Sequence, residues 1–295
     1  MAGSYHRPMT EMRTPIPRAV VVAVDGSDAS RAALRWAISL GAPVRAVRAW
    51  TYPTSLPLPW SRLASHTPEE VDAAVRTELE SIVTAEAGEG APVEIAVLRG
   101  PAASALIAHV ATTRARQLVL GSRGLGGFTG LLLGSVSRHC LEYAPCPVTV
   151  IPGPERAVAP PGVSTIVVGL DGSSLSGRAL DHAVELAVAT GAGIVAAHAF
   201  DPTFAELPPH VATELRTAVE RRVQDQCGRQ LALPVVKDCR LLDGDARQVL
   251  LEVVDAAGAD LLVVGAVGAG TLQKSLGPVA THLGLNATVP VTVVR

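Results

Sequence analysis

Gly121, Gly124, Gly134 and Ser135 are the residues of this chain whose types and spacing can do chemistry. The run Gly121-Ser122-Arg123-Gly124 is followed, nine residues later, by Gly134-Ser135. Glycine tolerates positive φ and lets a backbone approach a ligand closely. The first N–H groups of a helix have no internal partner and carry a partial positive charge, which suits a phosphate. Gln117-Leu118-Val119-Leu120 before the glycines reads as a buried strand, and Ser135 to Glu142 reads as a helix. Strand, glycine loop and helix start, in that order, build an anion site. Gly134, Ser135 and Val136 would donate N–H groups, the Ser135 hydroxyl one more, and Arg123 a charge-assisted contact. The competing reading is a plain turn with a helix cap. No Gly-Lys-Ser/Thr ends the run, so it is not a P-loop. Its second glycine pair lies too far from the first for the dinucleotide fingerprint.

Such a site needs elements to hold it. Ala19 to Val24 is an apolar, valine-rich run of the kind found in strands covered on both faces. Asp25 follows, where a carboxylate can accept from sugar hydroxyls or hold Mg²⁺ through water. The bland alternative is a turn aspartate within Asp25-Gly26-Ser27-Asp28. Ser27 or Asp28 caps a helix carrying Leu34, Ala37 and Ile38, with Gly41 as its stop. Val44 to Trp50 is a second strand, and Pro53 to Pro59 a proline-rich loop. Thr67, Pro68 and Glu70 start a helix with Val71, Ala74, Val75, Leu79 and Ile82 on its apolar face. Val93 to Leu98, Leu118 to Leu120 and Pro147 to Ile151 complete five strands, with a helix over Pro101 to Thr113. Strands alternating with helices predict a parallel sheet covered on both faces.

The pattern then repeats. Asp25 recurs as Asp171, Gly121 as Gly265, and Pro147-Val148-Thr149-Val150 as Pro290-Val291-Thr292-Val293, at offsets of 146, 144 and 143 residues. Near-constant offsets mark an internal duplication. The expected division is a loose tail over 1–16, a first domain over 17–152, a linker over 153–163 and a second domain over 164–295. The last strands of the two halves are short, apolar and begin with proline, which suits a sheet edge. They are expected to pair edge to edge within the chain, and a homodimer, if any, would use another surface.

Gly-x2-Gly-x9-Gly-Ser resembles the nucleotide-binding signature of the universal stress protein family, and the resemblance covers almost the whole chain as a tandem pair. It implies two open parallel five-stranded sheets of Rossmann-like type with ATP bound across the carboxyl edge. ADP or AMP are alternatives, and Mg²⁺ can accompany the phosphates. It places Ala23, Asp25, Ala49, Gly121, Arg123, Gly124, Gly134, Ser135 and Val136 around a nucleotide in the first half, with Ala49 against adenine. The matching positions in the second half are Gly169, Asp171, Ala199, Gly265, Gly268, Gly277 and Val279. That half departs from the pattern. Eight residues separate Gly268 from Gly277, Pro278 stands where Ser135 stood, and Val267 replaces Arg123. Proline brings neither an N–H nor a hydroxyl, so the second site is expected to be weak, altered or empty.

Three functions compete. The first is an ATP-binding regulator in stress response that works by binding and not by turnover. The second is a weak ATPase or nucleotidyl-transferring enzyme, for which no His-x-x-x-His or Ser-Gly-Gly-x-Asp-Ser motif is present. The third is an interaction scaffold without nucleotide. A net charge of −2 gives no global attraction to nucleic acid or to anionic membranes. No apolar run reaches the length of a membrane span and no signal peptide is visible, so a cytoplasmic location is expected. Cys140, Cys146, Cys227 and Cys239 form no Cys-x-x-Cys pair and are expected to be buried, reduced thiols. His109 and His139 are expected to be partly buried structural residues, and no catalytic residue is assigned.

Overall fold

The computed structural model of the protein describes residues 18–51, 67–125, 133–153, 162–230, 235–268 and 276–295. The tail 1–16, the loop Pro53–Pro59 and most of the linker 153–163 lie outside these residues. In the first half, strands β1 (Val20–Ala23), β2 (Val44–Trp50), β3 (Val93–Arg99), β4 (Gln117–Gly121) and β5 (Val148–Ile151) alternate with helices α1 (Asp28–Ser39), α2 (Pro68–Ala87), α3 (Ala102–Thr113) and α4 (Ser135–Tyr143). The second half repeats this with β6 (Thr165–Gly169), α5 (Ser174–Thr190), β7 (Gly193–Phe200), α6 (Pro209–Gln230), β8 (Val236–Asp243), α7 (Ala246–Ala257), β9 (Leu261–Gly265), α8 (Pro278–Asn286) and β10 (Val291–Val294).

Local chemistry explains the helix ends. Ser27 caps α1 by accepting from the Ser30 amide, and Ser173 caps α5 by accepting from the Ser176 amide. Thr67 and Glu70 close a full capping box on α2, with Pro68 at the first helical position. Only the second half of α2 is buried, through Leu79, Ile82 and Val83. Ala74, expected inward, is exposed. The front of that helix is held instead by polar contacts: Arg99 binds Glu69 at 2.9 Å and Asp72 at 2.6 Å.

All ten strands form one sheet in the order β3-β2-β1-β4-β5-β10-β9-β6-β7-β8. Every pairing is parallel except that of β5 with β10, which is antiparallel. The core strands are continuous runs of Val, Leu and Ile because helices cover both faces. The order within each half reverses next to β1 and next to β6, and these switch points open the clefts at the strands' carboxyl ends.

The seam between the halves is polar at its centre. Thr149 faces Thr292, with Val150 against Val291 and Val148 against Val293, so a pseudo-twofold axis passes between the two threonines. Their Oγ1 atoms lie 2.6 Å apart. Gln117 Nε2 donates to Thr149 Oγ1 at 2.6 Å, and His182 Nε2 meets Gln117 Oε1 at 3.1 Å. All four residues are buried.

Burial, helped by the charge of Arg116, pushes the pKa of His182 down to about 4. In the unfolded chain it should titrate near the ordinary 6.5. Above that pH neither state binds the proton. As pH falls from about 6.5 toward 4, the unfolded chain takes up a proton that the folded protein refuses, and stability drops by on the order of 3 kcal/mol. Urea unfolding at pH 7 and at pH 4.5 should show this loss, and His182→Gln should reduce the pH dependence. Equal pH slopes in the two proteins would contradict it.

Candidate functional site

The nine positions singled out in the first half line one cavity of about 560 Å³ at the carboxyl ends of β1, β2 and β4. Ala23 and Asp25 come from the end of β1, Ala49 from β2, Gly121, Arg123 and Gly124 from the turn after β4, and Gly134, Ser135 and Val136 from the start of α4. Gly134 is the N-cap of α4, with extended φ and ψ, and makes no side-chain cap, so the helix N-terminus faces the cleft. Its own N–H donates to Ser122 O at 2.7 Å, and Ser137 Oγ donates to Gly121 O at 2.8 Å. These two bonds fasten the helix start to the strand end.

The glycines are needed for closeness and not for left-handed backbone. None of Gly121, Gly124 and Gly134 has positive φ, contrary to the reason first suggested for them. A Cβ on Gly121 would sit 2.8 Å from the backbone and side chain of Ala29. A Cβ on Gly124 would sit 2.2 Å from Asp25 Oδ2. Within this loop system it is Gly26, at φ +95, that needs glycine for its conformation.

Asp25 is both a turn aspartate and a wall of the cleft. Ser27 donates to Oδ1 through its amide at 3.0 Å and its hydroxyl at 2.6 Å, and the Leu125 amide donates to Oδ2 at 3.1 Å. Burial would raise its pKa, but these bonds and one from Ser30 outweigh it and hold the carboxyl below its ordinary value. Asp25 is therefore ionised at neutral pH and clips the glycine loop to the end of β1.

The structure adds residues that the sequence reading passed over. Arg48 lines the cleft beside Ala49 and pairs with Glu78 Oε1 at 2.9 Å. Ser30, Leu106, Leu120 and Ser137 also line it. Arg48 carried a signal, being one of two charges, with Arg45, inside a strand otherwise made of Val, Ala and Trp. Ser30 carried another, since it recurs as Ser176 at the same offset as Asp25 and Asp171.

In the second half Gly169, Asp171, Ala199, Gly265, Gly268, Gly277 and Val279 line a cavity of about 240 Å³. Its backbone follows the first: Gly277 caps α8 with extended φ and ψ, and its N–H donates to Ala266 O at 2.8 Å. The Ser173 amide donates to Asp171 Oδ1 at 2.9 Å, as Ser27 does to Asp25. The chemistry differs, because Pro278 opens the helix. His198 stands where Arg48 stood, and its Nδ1 lies 2.7 Å from Leu170 O.

Three expectations are corrected. His139 is exposed and packs on Tyr143 with ring centroids 4.6 Å apart, because its face of α4 points away from the sheet. Cys239 is exposed on the edge strand β8, while Cys140, Cys146 and Cys227 are buried. Ala74 is the third, as described above. His109 is half-buried as expected, and burial with the nearby charge of Arg45 lowers its pKa.

A doubly wound α/β domain with a glycine-lined, helix-capped cleft at its switch point, present twice in one chain, defines a tandem α/β binding fold. The profile of the Universal stress protein family matches residues 17–152 and again 162–295. A universal stress protein of Mycolicibacterium smegmatis is 31% identical over 291 residues, covering 94% of this chain and 96% of its own. One from Mycobacterium tuberculosis is 31% identical over 312 residues, covering 94% of each. The crystal structure of a universal stress protein from Archaeoglobus fulgidus superposes over 93% of this chain with a TM-score of 0.63 at 20% identity. The chain belongs to the universal stress protein family, with two family domains in tandem.

Proposed function

We propose that the first half binds an adenine nucleotide, ATP or in its place ADP or AMP, and that the protein regulates through its bound state. The observation that carries this reading is the convergence on one cleft of the α4 N-terminus, an ionised Asp25 and three glycines. The cleft volume of about 560 Å³ falls in the range of about 300–1,000 Å³ usual for small-molecule sites. The fit is chemical as well. Ser135 and Val136 offer N–H donors to phosphates, while the Gly134 N–H, expected to be a third, is held by Ser122 O. Asp25 offers an acceptor to ribose hydroxyls, and Ala49 leaves room for a flat ring. Mg²⁺ would come with the phosphates. Among the described residues no group of three or more His, Cys, Asp or Glu side chains is placed to hold a metal.

The second half supports only a weaker version. Its cavity of about 240 Å³ is below the usual range, and Pro278 and Val267 remove donors. Each lost charge-assisted bond is worth about 1.5–3 kcal/mol, so the second site should bind at least a hundredfold more weakly. Calorimetric titration with ATP should give one strong site per chain. Two sites of equal affinity would contradict the reading, and no heat with ATP, ADP or AMP would remove it.

Turnover should be slow. A carboxylate already engaged by Ser27 and Leu125, with its pKa held low, is a poor general base. ATP hydrolysis should stay far below the typical enzyme rate of about 10 per second. A metal-dependent rate in that range, abolished by Asp25→Ala, would favour the enzyme reading. We further propose that the two halves work as one unit through the β5–β10 seam, that any homodimer uses another surface, and that the site of action is the cytoplasm. No helix among the described residues is long and apolar enough to cross a membrane.

A further inference from the structure

The second half holds two cysteines in contact, and nothing in the nucleotide reading uses them. Cys227 on α6 is 3% exposed, and Cys239 on β8 is exposed. Their sulfurs lie 3.3 Å apart. Among the described residues β8 is the last strand of the sheet and pairs with β7 alone. The other two thiols differ. Burial pushes Cys140 up to about 12 and Cys146 up to about 11, so both stay protonated and unreactive at neutral pH. A hydrogen bond from the Cys227 thiol lowers the pKa of Cys239, against the effects of burial and of Asp238, and the same bond raises that of Cys227. An exposed cysteine on an edge strand, backed by a second thiol at 3.3 Å, is the arrangement found in redox-sensing pairs.

We propose that Cys227 and Cys239 form a reversible disulfide in response to peroxides, with Cys239 attacking and Cys227 resolving. The Cys239 thiolate attacks one peroxide oxygen, the O–O bond breaks, and the leaving hydroxide takes a proton to become water. Cys239 is then a sulfenic acid. The Cys227 sulfur displaces its hydroxyl, which leaves with the Cys227 proton as a second water, and the S–S bond forms. Two thiols lose two electrons and two protons, and hydrogen peroxide is reduced to two waters. A dithiol reductant reverses the step by exchange.

The pair is placed to act on the second cleft. Gln226, next to Cys227, donates from Nε2 to Ser173 O at 2.8 Å and meets Ser176 Oγ at 3.4 Å. Ser173 caps α5 and its amide holds Asp171 of the cleft wall. A disulfide pins to β8 the stretch of α6 that holds this turn.

The test uses the full-length protein treated in native buffer with a small excess of hydrogen peroxide. The protein is then denatured in the presence of an alkylating maleimide, digested and analysed by mass spectrometry. The expected product is a peptide pair cross-linked through Cys227 and Cys239 in the monomer, with Cys140 and Cys146 still alkylated after denaturation. Dithiothreitol should return it to the reduced form. Cys227→Ala should yield a Cys239 sulfenic acid that dimedone traps, and Cys239→Ala should yield neither product. Hydrogen exchange at the Ser173–Ser176 amides should slow severalfold on oxidation. Retention of all four thiols at doses that oxidise free cysteine would overturn the proposal. So would direct passage of wild-type Cys239 to sulfinic acid, or cross-linking only between chains. Unchanged exchange at Ser173–Ser176 would overturn the link to the second cleft.

Discussion

Gly124→Val is expected to weaken ATP binding at least a hundredfold while leaving the protein folded. The reason is local. A Cβ at this position lies 2.2 Å from Asp25 Oδ2, far inside van der Waals contact. The carboxylate cannot simply stay, and its Oδ2 also receives the Leu125 amide. Valine therefore displaces the acceptor proposed for the ribose and unclips the glycine loop in one step. It also adds bulk where the backbone must come close to the ligand. Losing two such interactions at about 1.5–3 kcal/mol each accounts for a factor of a hundred or more. Gly121 is a poorer choice, because its Cβ would meet the Ala29 backbone at 2.8 Å and damage the fold itself. Asp25→Ala should be milder, since the loop keeps its glycines. Calorimetry with ATP gives the affinities and thermal unfolding checks the fold. A folded Gly124→Val protein with wild-type affinity would mean that the nucleotide does not lie where we place it.

Much of this was legible because the signals are local. The capping box of Thr67 and Glu70, the Ser27 cap and the strand runs each depend on residues within one turn or one strand. The family signature was legible because its spacing fixes a strand end, a loop and a helix start in sequence. What could not be read depends on distant partners. That Gly124 makes way for Asp25, 99 positions earlier in the chain (124 − 25), is a contact no local pattern contains. The pairing of Arg48, which lines the cleft, with Glu78 is another. The exposure of Cys239 follows from β8 being the sheet edge, and that depends on the whole strand order. The exposure of Ala74 follows from α2 overhanging the sheet, where Arg99 supplies partners that periodicity cannot see. The difference in volume between the two clefts is likewise a sum over many side chains, although Pro278 announced its chemical half.

Thr149→Lys should uncouple the two halves. Thr149 has no exposed surface, and its Oγ1 takes a hydrogen bond from Gln117 while touching Thr292 Oγ1 at 2.6 Å on the pseudo-twofold axis. A lysine there must bury an ammonium group without a carboxylate among the four residues of the seam network, which costs several kcal/mol. The strain falls on the two pairings that Thr149 makes, with Thr292 across the β5–β10 seam and with Val119 of β4, and the first of these is the one that joins the halves. The chain carries its own reporter for this. Trp36, Trp50 and Trp60 all belong to the first half, so tryptophan fluorescence follows that half alone, whereas far-ultraviolet circular dichroism follows both. In the wild-type protein one continuous sheet should make the two urea transitions coincide. In Thr149→Lys the fluorescence transition should separate from that of circular dichroism, and Val148 and Val150, bared at a sheet edge, should drive self-association at higher concentration. Thr149→Val, which keeps the shape but leaves Gln117 and Thr292 short of a partner, should lower stability by about 1–3 kcal/mol without splitting the transitions. Coincident transitions at the wild-type midpoint in Thr149→Lys would show that the seam carries no stability and that the halves fold independently of it.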